Sequence, residues 1–205
     1  MSNPSLENGI ESQQNYFEHS FNKLELIDED ISHSEFEECE FYDCDFSSSR
    51  FERCKFINCR FERCNLSLVN LTYTRVFEIE FVDCKLVGID WTRAHWPSFN
   101  LDHELSFKRC ILNDCSFFGL TLNELKLDEC KLHDADLREA DLAHATLTYC
   151  DFHHALFMRT NLNCADLTES TNFHIDVLEN TLTKAKFSRY EALALLESLG
   201  IELVD

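Results

Sequence analysis

A large apolar residue recurs at every fifth position through most of this chain. From Phe36 the series runs Phe41, Phe46, Phe51, Phe56, Phe61, Leu66, Leu71, Val76, Phe81, Leu86, Trp91, Trp96 and Leu101. It resumes one residue late as Phe107, Leu112, Phe117, Leu122, Leu127, Leu132, Leu137, Leu142, Leu147, Phe152, Phe157, Leu162 and Leu167. Two residues before each of these centres stands a small or modest inner partner, very often Cys or Ala. A period of five is neither helical nor that of a flat strand, and so long a repeat decides the architecture. Centre and partner both point inward only if the chain turns a corner about once per repeat. Four corners close a square coil of roughly twenty residues, and stacked coils bond through their backbones at about 4.8 Å.

The register extends back through Leu26 to Phe21 and forward through Val177, Leu182 and Phe187. One extra residue between Asp102 and Ser106 reads as a bulge at a corner. Asn172 is a polar centre and marks an irregularity near 171–174. Trp91 and Trp96 are successive centres and read as core. Residues 1–15 lack the repeat and are expected to be a flexible arm or loose cap. The solenoid is expected over 16–187, and a C-terminal helix and tail over 188–205.

Ala135-Asp136-Leu137-Arg138-Glu139 and Ala140-Asp141-Leu142-Ala143-His144 show the unit Ala-Asp-Leu-x-x, and Cys54-Lys55-Phe56 and Cys59-Arg60-Phe61 its Cys-x-Phe form. The chain thereby resembles the pentapeptide-repeat proteins over roughly residues 21–187. The resemblance implies an all-β fold, a right-handed quadrilateral β-helix with a short C-terminal capping and dimerisation helix.

Eleven cysteines suggest a disulfide scaffold until they are placed on the repeat. Cys39, Cys44, Cys54, Cys59, Cys64, Cys84, Cys110, Cys115, Cys130 and Cys150 are all inner partners, and only Cys164 is not. They read as small buried hydrophobes, with Cys110, Cys130 and Cys150 stacked in one column. Disulfides or zinc are the alternative, weakened by the lack of a Cys-x-x-Cys pair. No phosphate loop or nucleophile elbow is present. His133 and His153, beside Asp134 and His154, could bridge a metal, but an exposed polar ladder is the simpler reading. A Glu37–Glu38 dyad would need a cleft to shift its pKa values, which a convex rod does not offer. The expectation is no enzyme, no cofactor and no metal. No apolar run has membrane-span length, so the expected location is cytoplasmic.

The formal charge is −20. Residues 1–40 contribute −10 (eleven acids, one base), residues 41–100 zero (eight of each) and residues 101–205 −10 (nineteen acids, nine bases). Direct nucleic-acid binding needs a basic face and is not expected. An acidic rod suits a basic groove that normally holds nucleic acid. Two rods of roughly 40 Å joined end to end would carry about one charge per 2 Å, close to the roughly 1.7 Å of duplex DNA. The plainer alternative is that acidity keeps a rod dispersed.

Solenoid ends need covers. Ser188-Arg189-Tyr190-Glu191 has the form of a capping box. Leu193, Leu195, Leu196 and Leu199 follow, Gly200 suits the residue past the helix end, and Ile201, Leu203 and Val204 form an apolar tail. Leu195, Leu196, Leu199, Ile201 and Leu203 are the expected dimerisation residues; a monomer with a simple cap is the alternative. Outward positions on one face, taken every twenty residues or so, are Glu37, Ile57, Phe77, Pro97, Phe118, Arg138, Met158 and Leu178. Six of these eight are apolar, and a partner surface over Ile57, Phe77, Phe118 and Met158 is expected, unless the N-terminal arm covers it or the assignment slips near the bulge.

Within the family the chain is similar to the topoisomerase-protecting group, which includes the Qnr proteins and immunity proteins against gyrase-targeting toxins. An uninterrupted Phe46–Phe56 and a single extra residue near His103 make it more similar to the loopless members tied to albicidin or microcin immunity. That resemblance implies binding to DNA gyrase or topoisomerase IV, as a homodimer, with contacts expected at Asp136, Glu139, Asp141, Asp166, Glu169, Asp176 and Glu179. A protein-interaction scaffold unrelated to topoisomerases is the alternative.

Overall fold

The structure, a computed structural model, describes residues 9–96, 105–201 and 204. The chain winds into a four-sided solenoid of about eight turns, built almost wholly from short parallel strands. Wall 1 aligns Tyr16, Phe36, Phe56 and Val76; wall 2 aligns Phe21, Phe41, Phe61 and Phe81. Wall 3 follows the bridges Asp45–Asn65–Lys85, and wall 4 begins with Ile31 against Phe51. Each of these steps is twenty residues.

Corners come from the backbone. From Gln13 to Lys184, the residue two after nearly every centre has a left-handed φ of 51–62°. Such a conformation costs a non-glycine residue about 1–2 kcal/mol. Here its N–H donates to the next coil's carbonyl, as in Glu18 to Glu37 (3.0 Å), Lys23 to Tyr42 (2.9 Å) and Asp134 to His153 (3.0 Å). Those bonds offset the local strain, so the chain turns corners with only four glycines.

Inside, the centres stack. Phe21, Phe41, Phe61, Phe81 and Phe107 form one column, with ring centroids 5.0, 4.4, 5.1 and 5.0 Å apart. Inner partners fill the space between columns, and all ten inner-partner cysteines are buried, unbonded thiols. Their sulfurs lie against carbonyls of the preceding coil, as in Cys59 to Phe36 (3.3 Å) and Cys130 to Phe107 (3.4 Å). Buried Thr74, Thr160 and Ser170 hold the same position and donate to Phe51, Leu137 and Leu147 at 2.7, 2.8 and 2.6 Å. Burial pushes the Cys115 thiol up to about 12, so it stays protonated.

Register across the break corrects the sequence reading. Ile79 pairs with Leu105 and Phe81 with Phe107, a step of 26 residues where a single-residue bulge requires 21. Walls 3 and 4 carry the same offset, Lys85 to Ile111 and Asp90 to Ser116. Trp96 still follows wall 1, since the His95 N–H donates to the Thr74 carbonyl. Six residues are therefore inserted between Trp96 and Phe107 where one was expected, and Leu101 lies outside the described residues. The stacked pair Phe81–Phe107 and the long pairing of Lys55–Glu62 with Arg75–Val82 fix this register. One result is a single column of six thiols, Cys44, Cys64, Cys84, Cys110, Cys130 and Cys150. Another is an alternating charge column on the corner between walls 2 and 3: Lys23, Asp43, Arg63, Asp83, Arg109 and Glu129. In it Arg63 grips Asp43 at 2.7 and 3.0 Å, and Arg109 grips Asp83 at 2.7 and 2.8 Å.

The ends also differ from expectation. Of the supposed arm, residues 1–8 lie outside the described residues. Ile10 is already buried, Gln13 bonds to Ser32, and the first strand opens at Asn15. Near 171–174 the expected irregularity is present: Asn172 is exposed and Phe173 takes the buried place, so Phe157 pairs with Ile175 after eighteen residues. The capping box does not form. Tyr190 holds the N-cap position without a side-chain bond, and the Ser188 hydroxyl instead joins the Glu169 carboxylate and backbone N–H, both at 2.8 Å. One 3-10 turn, Glu191–Leu193, leads into one α turn, Ala194–Glu197.

Phe107→Ala is expected to cost about 3–5 kcal/mol of unfolding free energy, because it opens the stack between Phe81 and Trp91. Cys130→Ser should cost no more than about 1 kcal/mol, since a hydroxyl there reaches the Phe107 carbonyl as Ser170 reaches Leu147. Denaturant titration of both variants checks this, together with an unchanged midpoint on adding reductant.

Candidate partner-binding surface

A solenoid with a filled interior leaves its walls, corners and tips for function. An apolar void of about 20 Å³ lies among Phe56, Val76, Phe81 and Trp91, too small and too apolar for a ligand. Among the described residues no group of three or more His, Cys, Asp and Glu side chains is placed to hold a metal. His133 instead bonds Asp151 (2.7 Å), and His153 stacks on His154 (3.9 Å). No helix of the described residues is long and apolar enough to cross a membrane.

The seven acids expected to contact a partner are spread over the coil. Asp136 and Asp176 are on wall 4, Asp141 on wall 1 and Asp166 on wall 2. Glu139 and Glu179 sit on the corner between walls 4 and 1, and Glu169 on that between walls 2 and 3. Most are engaged within the chain. Asp136 receives Arg138 at 2.8 and 2.9 Å, and that hydrogen-bonded guanidinium holds its carboxyl below the usual range. Glu139 pairs with Arg159 (3.2 Å), Asp166 with Lys186 (2.9 Å) and Asp141 with Asn161 (2.8 Å). Asp176 accepts the Leu178 N–H (2.8 Å).

Unneutralised acid gathers at the other end. Glu25, Asp28, Glu29, Asp30, Glu37 and Glu38 on the first two coils are exposed and make no ion pair among the described residues. The signal was present in the first forty residues, which carry −10 against a single lysine. Basic side chains on the following coils are paired elsewhere: Arg50 and Arg53 with Glu52, Lys55 with Glu35, Arg60 with Glu62 and Glu80, Arg63 with Asp43 and Glu62.

The expected apolar stripe is split by the six-residue insertion. Ile57 and Phe77 are half-buried neighbours on wall 1, in register with Glu37. Phe118 and Met158 stand on wall 4, with Arg138 between them and over the Phe118 ring (5.7 Å). Pro97 lies outside the described residues. Of the expected dimerisation residues, Leu195 packs onto the core and Leu196 is half-buried, so both serve the cap. Leu199 and Ile201 are exposed, and Leu203 lies outside the described residues.

The pentapeptide repeat region family matches residues 34–103 and 90–167. The chain belongs to the pentapeptide-repeat family. No curated protein matches its sequence. Among solved structures it is similar to QnrB1, a plasmid-mediated fluoroquinolone resistance protein. A trypsin-treated form aligns at TM-score 0.67 and 22% identity over 94% of this chain and 98% of that one. A second treated form gives 0.63 and 23% over 95% and 93%. The full-length form gives 0.59 and 22% over 91% and 100%. At that identity the likeness speaks for the fold. Of the two grounds for placing the chain nearer to loopless members, the uninterrupted Phe46–Phe56 holds, and the one-residue bulge gives way to a 26-residue step.

The corner ladder has a pH signature. Hydrogen bonds from Arg63 and Arg109 hold the Asp43 and Asp83 carboxyls below their ordinary value. Their stabilisation is therefore complete above the unfolded-state pKa and lost as pH falls through the depressed one. Asp83→Asn should lose less stability than the parent between about pH 5 and 3, measured as the change in melting temperature across that range.

Proposed function

We propose that this pentapeptide-repeat protein binds a type II topoisomerase, DNA gyrase or topoisomerase IV, and protects it from poisoning by antibiotics or peptide toxins. The observation that carries this reading is a rigid acidic solenoid that follows the QnrB1 fold along more than nine-tenths of both chains. QnrB1 is itself a fluoroquinolone resistance protein. Chemistry supports a binding role over a catalytic one: the interior is packed, and the exposed acids stand on the outer walls and corners of the rod.

In this reading the rod enters a basic groove in place of DNA. The contacting acids are those of the first two coils, from Glu25 to Glu38, more than the seven from Asp136 to Glu179, which are largely committed to internal partners. Two copies joined through their C-terminal ends would place an acidic tip at each extremity. The apolar strip on wall 4 favours a second reading, a general protein-interaction scaffold, in which binding would be insensitive to salt.

A supercoiling assay with purified gyrase or topoisomerase IV, run with and without a poison, tests the proposal. Added protein should restore supercoiling in the poisoned reaction or inhibit the bare enzyme, and no effect in either condition would overturn it. Binding should weaken steeply as salt rises. Replacing Asp28, Glu29, Asp30, Glu37 and Glu38 together by Asn and Gln should weaken it about tenfold or more, with the melting temperature unchanged.

A further inference from the structure

Between its two acidic ends the rod carries a basic ledge, where wall 4 turns into wall 1. Residues 50–55, 70–75 and 90–95 stack there on successive coils. Arg50 bridges to Asn70, the Arg53 N–H reaches the Thr72 carbonyl (3.1 Å), Lys55 pairs with Arg75, and the Tyr73 N–H reaches the Arg93 carbonyl (2.9 Å). These segments hold five bases and two acids, a net +3 on a chain of −20. One coil earlier, residues 30–35 hold two acids and no base; beyond the uncharged 116–121, residues 136–141 hold three acids and one base. Ion pairs leave the ledge positive. Arg50 and Arg53 share Glu52, Arg93 holds Asp90, and Lys55 reaches back to Glu35. Arg75 has no carboxylate partner among the described residues and lies over the Phe77 ring (5.9 Å). Tyr73 is 62% exposed, with the Arg53 guanidinium 5.4 Å from its ring centre. Beside it Thr72, Thr92, Arg93, His95 and Trp96 line an open hollow of about 550 Å³.

We infer that this ledge docks an acidic segment of a protein partner, a short run of Asp or Glu side chains laid along the corner. The inference rests on the topoisomerase reading above and adds to it a second contact of opposite sign. A basic groove repels the ledge, so a rod held in such a groove turns this corner away from it, toward carboxylates of the same partner. Arginine suits that contact, because its planar fork takes a carboxylate through two parallel hydrogen bonds. Length argues for a peptide segment over a nucleic acid. Three coils at about 4.8 Å span roughly 10 Å, the reach of three or four extended residues at about 3.3 Å each. A longer polyphosphate strand would run on to Asp30 and Glu35 at one end and to Asp136, Glu139 and Asp141 at the other. The charge of −20 on the whole chain repels it as well.

Binding of the full chain to gyrase or topoisomerase IV at fixed salt tests this, with Arg75→Glu and Arg93→Glu as ledge variants and Lys126→Glu as the control. Lys126 is exposed on wall 2 and makes no ion pair among the described residues, so all three changes alter the charge equally. A rod that only imitates DNA binds as well or better with each added negative charge. The ledge demands the opposite sign: about fivefold or greater weakening by each ledge variant, and none by Lys126→Glu. Ledge variants that bind like the control overturn the inference and leave the topoisomerase reading standing. If either ledge variant melts early, Arg75→Gln and Arg93→Gln replace them, and unchanged binding counts against the inference equally. A parent that binds neither enzyme removes the reading, and the ledge is then decided by a fluorescent hexaglutamate peptide and a single-stranded oligonucleotide of similar charge, both at low salt. Peptide binding that is lost when Arg75 and Arg93 are both replaced supports it. No peptide binding, or tighter oligonucleotide binding through the same arginines, overturns it.

Discussion

One backbone event, repeated at almost every fifth residue, holds this molecule in shape. A non-glycine residue turns left-handed, the wall ends, and the N–H that would otherwise be stranded at the corner reaches the next coil. No single coil gains from this, because the partner carbonyl belongs to a neighbour. Corner strain and stacking are therefore inseparable, and stability is a property of adjacent coils rather than of any one of them. The interior obeys the same logic. Phe41 has its closest ring contact with Phe61 in the next coil, and Cys130 lies against the carbonyl of Phe107 in the preceding one.

That dependence explains how the fold absorbs six inserted residues without losing its columns. A solenoid requires that each centre meet a centre; it does not fix how many residues the chain spends between them. Phe81 finds Phe107 at 5.0 Å, Asp83 finds Arg109 at 2.7 Å, and the thiol column continues from Cys84 to Cys110. Each alternative register would break all three columns together, so the break leaves no ambiguity in the pairing.

For function, the consequence is a division of the surface. The middle coils neutralise many of their own charges through ion pairs along the walls, six acids of the first two coils stay unpaired, and the last coils carry apolar side chains on one wall. A rod with an acidic tip and an apolar opposite shoulder has a natural polarity. Under the proposed function the acidic end would meet a basic groove.

The five-residue period alone determined the solenoid, the inward direction of its phenylalanines and leucines, the burial of ten of its cysteines and the irregularity at Asn172. Each of these depends only on where a residue falls within its own repeat. Whatever depends on which coil lies above which was decided by tertiary structure. The string of centres through Trp96 and Leu101 looks unbroken, so the insertion reads as one residue, and the stripe from Ile57 to Met158 reads as continuous when its halves stand on adjacent walls. Likewise Ser188 has the sequence of a helix cap, but Glu169 in the preceding coil competes for its hydroxyl and wins. Sequence carries the period because burial acts locally; it cannot carry the register, which is set by contacts between residues twenty or twenty-six positions apart.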